Sequence, residues 1–130
     1  MSVTKKLHPA RPVNLDLTTI KMPPPAIVSI LHRISGILIF ILMPFMLYGV
    51  QQSLLSPEHF LKTQQCFQTG FMRFLVWAFL SALIYHGIAG VRHLLMDCGF
   101  AETREATQRS AWIVLILASL SIIGLGVTLW

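Results

Sequence analysis

The sequence predicts an all-α membrane protein with three transmembrane helices. Composition is the first reason. Of 130 residues, 55% are hydrophobic and only 12% are charged, whereas a soluble domain carries about 25% charged residues. That shortage cannot be spread over a water-facing surface, so lipid must cover much of the chain. The second reason is three apolar runs, at about 26–51, 71–96 and 111–130. Each approaches the ~20 residues a helix needs to cross about 30 Å of hydrocarbon. Backbone groups in lipid must be satisfied within the segment, which makes these runs helices.

The elements follow in order. Residues 1–25 form a polar N-terminal segment that ends in Pro23-Pro24-Pro25. Prolines suit the first helical turn, where a backbone N–H has no partner to lose, so the first span should begin near Ala26. Its densest apolar part is 34–50, and Pro44 can kink it without abolishing it. The connection 52–70 is polar, with room for a short interfacial helix. The second span, 71–96, is interrupted by His86. The connection 98–110 is short and charged, and reads as a loop. The third span, 111–130, carries no charge. The whole of 1–130 is expected to form a single membrane domain.

The sequence predicts no cleavable signal peptide, because the first ten residues are polar and include Lys5, Lys6 and His8. Cys66 and Cys98 fall in different segments with no CxxC, which argues against a zinc site and against covalent haem attachment. The net charge of +5 does not indicate nucleic acid. The basic residues flank apolar runs and form no basic helix with interleaved aromatics. Their distribution sets orientation instead. Lys5, Lys6, Arg11, Lys21 and Arg33 precede or open the first span, and Arg92, Arg104 and Arg109 surround the second connection. Only Lys62 and Arg73 belong to the first connection. The positive-inside rule therefore places the N-terminus and the 98–110 connection in the cytoplasm and the C-terminus outside.

Two polar constellations stand out. His86, Gly90, His93 and Asp97 project to one face of the second span, with His86 about 16 Å deeper than Asp97 at 1.5 Å per residue. An ionisable side chain in hydrocarbon normally faces a partner, a cavity or a cofactor. Imidazole is a common iron ligand. On one reading His86 is an axial haem ligand, Gly90 lets the porphyrin approach, and His93 and Arg92 meet its propionates. On the others His86 makes an ordinary interhelical hydrogen bond, or works with Asp97 as a proton relay. Because only one deep histidine is present, paired histidine ligation would need a second chain. The first span opens with Ser29-Ile30-Leu31-His32-Arg33-Ile34-Ser35-Gly36. Ser29 and Arg33 lie one turn apart on one face. They suit a quinone head, with Ser29 donating to a carbonyl and Arg33 stabilising charge that develops on reduction. Arg33 can equally snorkel to headgroups. His32 is a further candidate for a propionate.

These motifs resemble a family. Arg11-Pro12-Val13-Asn14-Leu15-Asp16-Leu17, the Ser29–Gly36 stretch, and His86-x3-Gly90-Val91-Arg92-His93-Leu94-Leu95-Met96-Asp97-Cys98-Gly99 look like the cytochrome b membrane-anchor subunit of succinate dehydrogenase, respiratory complex II, of proteobacterial type. The resemblance covers nearly the whole chain. It implies three helices bundled with a second anchor subunit, in a bacterial inner membrane. It implies that His86 ligates haem b iron, with the opposite ligand from that second anchor. By position, Ser29 and Arg33 match the ubiquinone site, while His32, Arg33 and His93 fall where propionates are met. Asp97 matches the acidic residue of the motif, a candidate proton route. Flavin (FAD) and iron–sulfur clusters would belong to the flavoprotein and iron–sulfur subunits. This chain would then be part of an oxidoreductase without holding its dicarboxylate site. The related fumarate reductase anchor runs similar chemistry in reverse.

Overall fold

A computed structural model describes residues 22–100 and 103–130. Four helices follow one another: α1, Pro24–Ser53; α2, Pro57–Phe67; α3, Gly70–Asp97; and α4, Arg104–Leu129. Three of them, α1, α3 and α4, are long and apolar enough to cross a membrane. At 1.5 Å per residue they run about 39–45 Å, longer than the ~30 Å of hydrocarbon. The three expected spans and the short helix in the first connection are all present. The Arg11–Leu17 motif lies outside the described residues.

The ends explain where each helix sits. α1 starts with Pro24 and Pro25 in its first turn and continues through Pro44. α2 is capped by Ser56, whose hydroxyl accepts from the backbone N–H of His59 at 3.2 Å. α3 stops at Gly99, which adopts φ 86°. The N–H of Gly99 donates to Met96 O and that of Phe100 to Leu95 O. This pair of bonds closes the helix end and needs a left-handed residue, which glycine supplies at little cost.

One element starts earlier than expected. The 98–110 stretch is not a loop throughout, because α4 begins at Arg104. Thr103 caps it by accepting from Ala106 N–H at 3.3 Å, with Glu105 in the first turn. Hydropathy marks the part of a helix that lies in lipid. It does not mark the two polar turns that carry the helix on into the interface.

α3 packs between α1 and α4, and α2 lies across one end of α1 and α3. The long helices alternate in direction. His32 of α1 meets His93 and His86 of α3, whereas Gly36, further along α1, meets only His86. Arg92 of α3 likewise meets Ser110 near the start of α4, and Trp77 meets Ile122 near its end. The start of α1, the end of α3 and the start of α4 therefore share one end of the bundle. The buried cluster is Val28, Tyr85, Ala89, Ala111, Val114 and Ala118. Its small residues let backbones approach closely, which is how helices associate where lipid is as apolar as leucine. Tyr85 donates from its hydroxyl to Val28 O at 3.1 Å, which ties α3 to α1 just beside the polar cluster. Much of the outer surface is large apolar side chains, including Phe40, Phe45, Leu47, Ile116 and Val127.

Candidate functional site

Both constellations read from the sequence meet at the shared end of the bundle. Their centre is three imidazoles. The His32 ring stacks on that of His86, with centroids 4.0 Å apart and planes 15° apart. The His93 ring lies 5.1 Å from His32, tilted by 55°. Stacked rings aim their nitrogens along parallel planes rather than at a common point. Consistent with that, no group of three or more metal-ligating side chains converges among the described residues. A metal held here would take single imidazoles as ligands.

The orientation of His86 follows from its neighbours. Its Nδ1 lies 3.1 Å from the backbone carbonyl oxygen of His32 and 3.1 Å from Ser35 Oγ. The Ser35 hydroxyl donates to that same carbonyl at 2.8 Å. A carbonyl only accepts, and the single Ser35 proton is already committed. Both partners therefore present lone pairs to Nδ1, so Nδ1 carries the proton and Nε2 carries the free lone pair. His86 is half-buried, and its Nε2 makes no hydrogen bond among the described residues. This is an imidazole held in direction by Nδ1, with its Nε2 left free of the α1 contact.

Gly36 makes the close approach possible. A Cβ on Gly36 would stand 3.1 Å from His86 Cε1, and one on Gly90 would stand 3.4 Å from His32 Nε2. Only the Gly36 contact is tight; a Cβ on Gly90 would meet His32 Nε2 at ordinary van der Waals distance. His32 Nε2 is buried and has no hydrogen-bond partner among the described residues. An unsatisfied buried polar atom costs about 1–3 kcal/mol, so this nitrogen is a point of demand for a polar group.

The remaining residues divide clearly. Ser29 is half-buried and Arg33 is exposed, one turn apart on α1 and beside His32. His93 is half-buried at the same level. Asp97, the last residue of α3, is exposed and makes no ion pair among the described residues. Arg92 does not join them, which corrects its expected contact with a propionate. Six residues from His86 rotate it by about 120° off the histidine face. It is buried against α4, where Nε donates to Ser110 Oγ at 2.9 Å and Nη2 donates to Thr107 O at 3.1 Å. Those acceptors exist because α4 starts at Arg104.

Sequence reasoning gave Ser35 no role. Its signal was the stripe Val28-His32-Ser35-Ile39, spaced i, i+4, i+7, i+11, which faces inward with two polar members.

Comparison with known proteins identifies the frame. Residues 8–125 match the model for the succinate dehydrogenase/fumarate reductase transmembrane subunit. The chain belongs to that family. It is 42% identical to the succinate dehydrogenase cytochrome b556 subunit of Coxiella burnetii, over 95% of this chain and all of that one. It is 26% identical to the cytochrome b556 subunit of Rickettsia typhi, over 91% of this chain and 92% of that one. It is 31% identical to the mitochondrial cytochrome b560 subunit of Sus scrofa, over 93% of this chain and 73% of that one. Family and helices together make this a membrane protein, the cytochrome b type of anchor.

Proposed function

We propose that this chain anchors a succinate dehydrogenase in the bacterial inner membrane, supplies one axial ligand to haem b, and forms part of the site where ubiquinone is reduced. The observation that carries the reading is His86, with Nδ1–H engaged by a carbonyl and a hydroxyl and Nε2 left open. That is the arrangement a neutral imidazole needs to ligate iron. Haem b, when bound, supplies a one-electron redox centre. A further ligand would come from a second anchor subunit, since the stacked, nearly parallel rings of His32 and His86, 4.0 Å apart, cannot both turn a nitrogen to one iron. His32, whose Nε2 is buried and unsatisfied, together with Arg33 and His93, is placed to receive propionates. The residues present fit the group.

Ser29 and Arg33 act on the quinone. The Ser29 hydroxyl donates to a quinone carbonyl, and the exposed guanidinium of Arg33 stabilises the negative charge that builds on that oxygen. Their position near the start of α1 keeps them within reach of both lipid and water, as an acceptor of two electrons and two protons requires. Asp97, exposed at the end of α3, is suited to pass protons inward. The N-terminus and the α3–α4 connection face the cytoplasm and Trp130 faces the periplasm. The iron–sulfur subunit docks at the polar end and delivers electrons drawn from succinate at the flavoprotein subunit.

Arg33→Ala in the assembled complex tests the quinone assignment. Succinate oxidation by a soluble artificial acceptor should stay near wild type while ubiquinone reduction falls by about tenfold to a hundredfold, the range expected for losing about 1.4–2.7 kcal/mol of transition-state stabilisation. Equal loss of both activities would contradict it.

A further inference from the structure

We infer that Ser35 is a positioning residue that tunes His86 as an iron ligand, an inference that rests on the haem reading above. Ser35 is buried on α1, 6% exposed, within a stripe that otherwise packs against α3. Helix-interior serines commonly return their hydroxyl proton to their own helix, and Ser35 does so, donating to His32 O at 2.8 Å. The consequence lies on the other side of the oxygen. With its proton committed, Ser35 Oγ offers a lone pair to His86 Nδ1–H at 3.1 Å. The same Nδ1–H faces His32 O at 3.1 Å. One N–H is thus shared between two acceptors, and the three groups form a closed knot across the α1–α3 contact.

Two effects follow. The knot favours this tautomer, because the His32 carbonyl has no proton to give and the Ser35 proton is already donated to that carbonyl. It also raises the electron density of the ring, since hydrogen-bond acceptors on the distal N–H of an imidazole increase the basicity of its other nitrogen. A more basic ligand favours ferric over ferrous iron. Ser35 therefore holds the midpoint potential of the haem lower than the His32 carbonyl alone would. Gly36, next in the chain, lets the ring come close enough for the contact, since a Cβ there would stand 3.1 Å from His86 Cε1.

The test is a redox titration of the b-type haem in the purified complex, comparing wild type with Ser35→Ala, Ser35→Cys and Ser35→Thr. We expect Ser35→Ala to keep full haem content and shift the midpoint upward. Ser35→Cys, a weaker acceptor, should fall between Ala and wild type, and Ser35→Thr should restore the wild-type value. A potential unchanged in Ser35→Ala at full haem content would overturn the inference. So would haem loss shared by Ser35→Ala and Ser35→Thr, which would mark a packing role. Absence of haem from the wild-type complex is a different outcome, and would defeat the haem reading itself.

Discussion

At the scale of single residues, the site depends on how near α1 and α3 can come. Gly36 sets that distance at the His86 contact. Gly36→Ala should gain about 0.5–1 kcal/mol of helix preference, yet it presses a methyl to 3.1 Å from His86 Cε1. His86 cannot yield easily, because its Nδ1 is tied to two acceptors. We expect haem per complex to fall in Gly36→Ala, measured by haem extraction against protein; wild-type content would show that the ring has freedom the contacts deny. The residues at this centre were readable from sequence because histidines in an apolar run are conspicuous. Ser35 was not, since serine is an ordinary small residue in membrane helices and its role depends on which neighbour its oxygen meets. Arg92 was misplaced for a related reason. Proximity in sequence to His93 suggested a shared ligand, while a helix sends adjacent residues about 100° apart.

At the scale of elements, the three spans were legible from hydropathy, and the proline run correctly marked the start of α1. The early start of α4 was not, because its first turns are polar. Those turns matter, since they supply Ser110 and Thr107 to Arg92. Arg92→Lys keeps the charge but loses the planar fork that reaches two acceptors at 2.9 and 3.1 Å. We expect the substitution to destabilise the α3–α4 pairing by about 1.5–3 kcal/mol, the range for hydrogen bonds to charged groups. Thermal unfolding of the complex in detergent reads this directly. An unchanged midpoint would mean that the buried guanidinium contributes little to holding α4.

At the scale of the whole molecule, the described helices leave much of their apolar surface uncovered. Large apolar side chains remain exposed along every long helix, as suits a chain covered by lipid and by other subunits. Which faces meet protein was not legible, because apolar residues look alike against lipid and against a helix. Orientation can be measured through the two free cysteines, both exposed. In a Cys98→Ser background, Cys66 should react with a membrane-impermeant thiol reagent added to the periplasmic side and stay unlabelled in inverted vesicles. The reverse pattern would invert the topology. The central claim is that His86 ligates haem shared with a second anchor subunit. A reduced-minus-oxidised absorption spectrum of the purified complex, wild type beside His86→Ala, tests it most directly. We expect a b-type band in the wild type that is absent or strongly altered in the variant; an unchanged band in His86→Ala would overturn the assignment of His86 as a haem ligand.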